Sequence, residues 1–232
     1  MVIMNTINKT CIDCNSNFDA EPIIFNGKVI FDQSLCEPCL NRRTVEAELA
    51  REKNLLEGRK NAFWAEVPKL YAETDKSRLK ANLVAAIDVW EYSSTGLGLV
   101  GDSGAGKTRT AVEILYKAHM AGHSVCYMKA TRLTAHATEQ FSNDEIARQQ
   151  AKDRIRKAYK SSVLLIDDIG KGRLPASAEE LLYDILDQRS ETGLPVIWTS
   201  NAKSKQLSEM LSVDRGQPII RRLIDFSTII SA

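Results

Sequence analysis

Residues Gly101-Asp102-Ser103-Gly104-Ala105-Gly106-Lys107-Thr108 fit the pattern G-x-x-x-x-G-K-[ST] at every fixed position. Each fixed residue type has a chemical use. Glycines let successive backbone N–H groups turn inward around an anion, and a helix starting at the end of the loop adds the partial positive charge of its N-terminus. Lys107 brings a cation to β- and γ-phosphate oxygens. The Thr108 hydroxyl is a hard oxygen of the kind Mg²⁺ prefers. With the adjoining Arg109, the loop is the expected cradle for ATP and Mg²⁺.

A second group of residues could complete such a site. Asp167 and Asp168 follow the apolar run Val163-Leu-Leu-Ile166. Asp167 is expected to hold Mg²⁺, mostly through water, and Asp168 to orient or deprotonate the attacking water. Trp198-Thr-Ser-Asn201 ends another apolar run. Asn201 is the expected water-positioning residue, with Thr199 as the alternative. Solvated strand ends would explain either group alone, but a complete phosphate loop beside them favours a site.

Cysteines suggest a different chemistry. Cys11-Ile-Asp-Cys14 and Cys36-Glu-Pro-Cys39 are two C-x-x-C pairs with 21 residues between them. Four thiolates saturate a tetrahedral Zn²⁺, which makes a structural centre with no open catalytic position. Redox-active pairs are the alternative, but they belong in a βαβ setting that this segment lacks. The fifth cysteine, Cys126, lies in an apolar run and reads as core. His119, His123 and His136 show no ligand spacing with one another or with the cysteines.

Elements must position these residues. From about residue 61, short apolar strands alternate with longer helical patterns, which predicts a parallel α/β sheet. The predicted strands are Leu97–Val100, Ser124–Met128, Val163–Ile166, Val196–Thr199 and Thr228–Ile230. A helix is expected from Lys107, closed by Gly122. Another is expected to open on a Ser177/Glu180 capping box, run to about Glu191 and close at Gly193, with Pro195 starting the next strand. Near the N-terminus, Pro22–Phe25, Asn26-Gly27 and Lys28–Phe31 read as a hairpin between the cysteine pairs. The second pair leads into a charged segment that reads as a solvated helix. The expected organisation is a zinc-binding docking domain over 1–40, a helical linker over 41–60 and an ATPase domain over 61–232. The first domain is too small to hold its shape without metal, in a zinc-ribbon or treble-clef-like form.

Gly101–Thr108, Ile166–Gly170, Asp187-Gln-Arg189, Pro195–Asn201 and Ile219-Ile-Arg-Arg-Leu223 occur in the order seen in AAA+ ATPases. The chain most resembles the bacterial helicase-loader (DnaC-type) and transposition-helper (IstB-type) group, over roughly Val67–Ile230. That resemblance implies a sheet order of 5-1-4-3-2 with helices on both faces. It implies that Tyr71, in Val67–Tyr71, packs on the adenine, that Asn201 is the sensor-1 residue and that Arg222 is an arginine finger for a neighbouring subunit. Arg221 competes for that last role. Related loaders carry a later sensor-2 arginine on a lid, whereas no arginine follows Arg222 here, so a short or absent lid is expected.

Charge narrows the partners. Net charge is +1, so no global field favours nucleic acid. Residues 1–60 hold eight Lys/Arg and nine Asp/Glu, which suits protein docking better than DNA binding. Arg148, Lys152, Arg156 and Lys160 recur every four residues, a helical stripe that could follow a phosphate backbone or simply face solvent. No apolar run is long enough to span a membrane and no secretory signal is recognisable, so a cytoplasmic protein with reduced thiols is expected. The reading that follows is an ATP-dependent loader of a replicative DNA helicase that oligomerises with ATP on single-stranded DNA. Its alternative is a transposition helper that assembles on DNA and recruits a transposase. A small-molecule kinase with a zinc appendage would need neither the Trp198–Asn201 group nor the Arg221–Arg222 pair, and a non-hydrolysing adaptor would not need the full set of Lys107, Thr108, Asp167 and Asp168.

Overall fold

The structure, a computed structural model, describes the chain except residues 1, 5, 21–22, 26–27, 32, 203–205, 208–210 and 213–214; for 2–4, 23–25 and 28–31 it describes the backbone. The chain divides into two compact units, Met1–Gly58 and Arg59–Ala232.

In the first unit, strands β1 (Val2–Met4), β4 (Ile23–Phe25) and β5 (Lys28–Phe31) form one antiparallel sheet, and β2 (Ile7–Thr10) pairs with β3 (Asn17–Ala20) in another. Phe25 lies opposite Lys28, the register of a two-residue hairpin; the expected Asn26-Gly27 turn itself falls outside the described residues. Cys11 and Cys14 sit in the β2–β3 connection, while Cys36 and Cys39 flank the start of helix α1 (Glu37–Glu66). This helix is longer at both ends than 41–60. Its beginning carries the second cysteine pair, and near its end Phe63 is buried.

The second unit is built on five parallel strands: β6 (Gly96–Val100), β7 (Val125–Lys129), β8 (Val163–Ile169), β9 (Val196–Ser200) and β10 (Ser227–Ser231). Their order is β10-β6-β9-β8-β7, which is 5-1-4-3-2 in chain order. Alternation along the strands sorts side chains between two cores. Leu97, Leu99, Tyr127, Val163, Leu165 and Ile197 face α2 (Ala81–Val89), α3 (Lys107–Met120) and Phe63. Cys126, Met128, Leu164, Ile166 and Trp198 face α4 (Ala130–Glu139), α5 (Glu145–Lys160), α6 (Ala176–Glu191) and α7 (Gly216–Asp225). Helices therefore cover both faces, and every strand but the edges is dry, as a parallel sheet requires.

Helix ends explain where the elements stop. The amides of Gly122 and His123 donate back to the carbonyls of His119 and Ala118, closing α3. Gly193 and Leu194 close α6 in the same pattern on Ser190 and Arg189. The expected capping box is not formed. Pro175 takes the N-cap position with no side-chain cap bond, so α6 begins at Ala176 and Ser177 is already inside its first turn. The amides of Ala178 and Glu179 donate to the Pro175 carbonyl, and Glu180 pairs with Arg215. Among the described residues, no helix is long and apolar enough to cross a membrane.

Candidate functional site

The phosphate loop joins β6 to α3, so the strand delivers Gly101 at the carboxyl end of the sheet, where open α/β folds bind ligands. Gly106 adopts φ 93° at the N-cap of α3, and a Cβ there would meet Leu79 Cδ2 at 2.6 Å. Any other residue at 106 would push into that wall as well as strain the backbone. Lys107 is 5% exposed, and its ammonium donates to the carbonyls of Gly101 (2.8 Å) and Asp102 (2.7 Å). Burial pushes its pKa down, opposed by the charges of Asp168, Asp102 and Asp167.

Asp167 is the hub. Its carboxylate is 1% exposed and accepts three hydroxyls: Thr108 (2.8 Å) and Thr199 (2.8 Å) on Oδ1, Tyr127 (3.0 Å) on Oδ2. The parity of the strands produces this meeting. Leu165 lies opposite both Tyr127 and Ile197, so Asp167 and Thr199, each two residues on, face the same way as Tyr127. The strand was expected to end at Ile166 with both carboxylates emerging; it continues to Ile169 and buries the first of them. Between Ile166 and Ile169 the pairing with β9 shifts by one residue, a bulge that sets the two aspartates apart. Asp168 has φ 63°, a left-handed conformation costing on the order of 1 kcal/mol for a residue with a Cβ. Its amide donates to Thr199 Oγ1 (2.8 Å), and its carboxylate pairs with Lys171 (3.3 Å) in the open cleft.

That cleft has a volume of about 490 Å³, and its lining includes Tyr71, Leu79, Gly106, Lys107, Thr108 and Arg109 together with Asp168, Lys171 and Asn201. Tyr71 ends a single 3-10 turn, Lys69–Tyr71. Arg109 lies over its ring at 5.9 Å and reaches the Leu70 carbonyl (3.3 Å), which ties this segment to the first turn of α3. Asn201 is exposed at the cleft, whereas Thr199 is fully buried and bonded to both aspartates. The donor set fits the expected ligands. An ammonium on loop carbonyls stands where phosphate oxygens would replace them, and a hard hydroxyl–carboxylate pair stands beside it for Mg²⁺.

The remaining expected residues lie elsewhere. Arg222, on α7, donates to Asp187 Oδ1 (2.7 Å) and to the Tyr183 hydroxyl (2.9 Å), with its guanidinium 4.4 Å above the Tyr183 ring. Arg221 beside it is 79% exposed and only 4.0 Å from Asp225. The basic stripe lies on α5, with Arg148 near Glu145 (3.8 Å), Arg156 on Asp153 (2.7 Å) and Lys152 and Lys160 exposed.

In the first unit, the sulfur atoms of Cys11, Cys14, Cys36 and Cys39 all lie within 4.8 Å of one another. Four sulfurs about 2.3 Å from one ion would need such a spacing. The thiols cannot all ionise unaided. Burial opposes ionisation of Cys11, but hydrogen bonds from the backbone of Cys36, Cys14 and Asp13 hold its pKa down at about 6. Cys39 is pushed up to about 12 by the Cys36 thiol and by burial. A divalent cation would resolve that conflict, so the cluster fits zinc. Asp13 pairs with Arg42 (3.3 Å) and Arg43, which ties the first knuckle to α1.

Tyr127 and Lys171 were not picked out from sequence. The tyrosine follows a cysteine in an apolar strand and looks like core until the strand register is known. The lysine sits in Gly170-Lys-Gly172 just after the aspartates, and a basic residue between two glycines there was the available signal.

Residues 69–231 match the family of IstB-like ATP-binding proteins. The ATP-binding protein of insertion sequence IS21 from Pseudomonas aeruginosa is 32% identical over 136 residues, 57% of this chain and 48% of that protein. An insertion-sequence ATP-binding protein of Mycobacterium tuberculosis is 28% identical over 117 residues, 48% of this chain and 43% of that protein. The chain spans about half the length of these curated relatives. Among solved structures, DnaI is similar at a TM-score of 0.58 with 19% identity, over 71% of this chain and 94% of that one. The DnaC helicase loader is similar at 0.51 with 19% identity, over 73% of this chain and 98% of that one. The strand order, the phosphate loop and these likenesses agree on an AAA+ P-loop ATPase fold. With its match covering well over half its length, the chain belongs to the IstB-like ATP-binding protein family.

Proposed function

We propose that the chain hydrolyses ATP and works as a loader of a replicative DNA helicase, docking through its four-cysteine unit and oligomerising with ATP on single-stranded DNA. The observation that carries the ATPase part is the buried Asp167 carboxylate held by Thr108 of the phosphate loop and Thr199 of the neighbouring strand. A bound Mg²⁺ would neutralise phosphate charge; the protein's own residues do the rest. Lys107 holds phosphate oxygens, and Asp168, aimed into the cleft, orients the attacking water and accepts its proton. Asn201, which also lines the cleft, positions that water. Tyr71 and Arg109 close the nucleotide's base side. Arg222, or Arg221 next to it, serves a neighbouring subunit's site.

Support for the loader comes from the cysteine cluster, a docking module of nearly balanced charge placed ahead of the ATPase domain. Purified protein should capture the replicative helicase of the same cell or phage, more strongly with ATP than with ADP. Failure to capture it under either nucleotide would sink the loader and leave the ATPase. A transposition helper is the second reading, favoured by the insertion-sequence relative at 32% identity. In that case the protein should assemble on duplex DNA with ATP and retain a transposase instead.

A further inference from the structure

We propose that Tyr127 is a positioning residue for Asp167 and that the site's affinity for the Mg²⁺ of its nucleotide complex depends on the tyrosine hydroxyl. The inference rests on the reading that the cleft holds ATP and Mg²⁺. Its basis is how the carboxylate is held. Thr199 on β9 fixes Oδ1 and Tyr127 on β7 fixes Oδ2, from opposite sides of β8. Two donors on opposite oxygens, from two neighbouring strands, stop the carboxylate from turning about its Cβ–Cγ bond. Thr108 shares Oδ1, but its hydroxyl is also an expected metal ligand, so it is a poor permanent anchor.

Burial sharpens the effect. Tyr127 is 7% exposed and Asp167 1% exposed, so water cannot freely replace a missing hydroxyl. The tyrosine is the donor in this 3.0 Å contact, because a carboxylate only accepts. Groups that orient a metal's ligands typically set metal affinity by 10- to 100-fold. Tyr127 occupies that position for Asp167.

Tyr127→Phe removes the hydroxyl and keeps the ring's packing. The full chain and Y127F are compared with a non-hydrolysable ATP analogue, and the Mg²⁺ concentration giving half-maximal nucleotide binding is measured. Mn²⁺ is titrated in parallel by electron spin resonance. Binding of the analogue in EDTA and thermal unfolding provide the other two readouts. Y127F should raise the half-saturating Mg²⁺ and Mn²⁺ concentrations by roughly 10-fold while binding the analogue in EDTA as wild type does. Unchanged metal half-saturation in a folded variant would overturn the proposal. Equal loss of binding in EDTA, or a melting temperature far below wild type, would assign the tyrosine to the fold and overturn it too. Wild type and Lys107→Ala report separately on the underlying reading: if wild type binds no nucleotide, or Lys107→Ala binds it as tightly as wild type, the cleft is not an ATP site, and Tyr127 has no metal to position.

Discussion

Asp167 and Asp168 are adjacent in sequence and opposite in surroundings. One is sealed among three hydroxyls; the other is a quarter exposed, in a left-handed turn, and among the described residues pairs with a solvated lysine. Holding metal needs a fixed, charged group, and moving a proton needs an accessible one, so the two environments suit two tasks. Lys107→Ala should weaken ATP binding by about 100-fold or more, since on the proposed reading this buried ammonium would be the principal cation on the phosphates. Asp168→Asn should keep binding within a few-fold and lower kcat by roughly 10²- to 10⁴-fold. Isothermal titration and steady-state ATPase assays separate these outcomes, and equal binding loss in both variants would refute the division. Arg189 shows a different use of charge. It is fully buried, and its guanidinium donates to the carbonyls of Ala158, Ser161 and Pro195 at 2.8–2.9 Å. Burial lowers its pKa to about 10, still well above neutrality. Arg189→Met should cost about 3–5 kcal/mol in denaturant unfolding, because several buried carbonyls lose their donor together. A loss below about 1 kcal/mol would mean that water replaces it.

At the scale of elements, α7 is sharply two-sided. Ile219, Ile220 and Leu223 are buried, Arg221 points to solvent, and Arg222 lies between, bound to Asp187 and Tyr183 of α6. A finger that serves a neighbour must either leave Asp187 or use it as a brace that presents the guanidinium. Arg222→Ala should bind ATP as a monomer and lose hydrolysis stimulated by assembly, a contribution worth about 10³–10⁵ in other nucleotide hydrolases. Mixing it with Lys107→Ala should restore part of that rate, because one chain keeps the site and the other donates the finger. The same mixture made with Arg221→Ala is the comparison. Recovery with neither would count against α7 as the donor.

For the whole molecule, metal and nucleotide should act on separate units. Purified protein should carry about one zinc per chain, because four thiolates make one tetrahedral site. Cys36→Ser should release it, as measured by metal analysis and proteolysis of the N-terminal unit, and abolish helicase capture. ATP binding and basal hydrolysis should change by less than about two-fold, since the nucleotide cleft is lined by residues 71–201. A collapse of ATP binding on zinc loss would overturn that separation.

The chain's own residue order determined more of this protein than its size suggests. The phosphate loop, the aspartate pair and the paired cysteines are contiguous or regularly spaced, so each was legible where it stands. The same holds for the parallel sheet, whose strands are short apolar runs between helix-length segments. Local signals also located the ends of α3 and α6 at Gly122 and Gly193, but not the start of α6, where Pro175 claimed the cap that Ser177 was expected to fill. What needed the tertiary structure was everything decided by register. A one-residue bulge after Ile166 set the two aspartates in different surroundings, and strand parity turned Tyr127 and Thr199 onto Asp167 from either side. The pairing of Arg222 with Asp187 likewise joins two helices through residues 35 apart in the chain. Side chains that meet across strands and helices leave no pattern along the sequence, because their meeting is fixed by packing rather than by spacing.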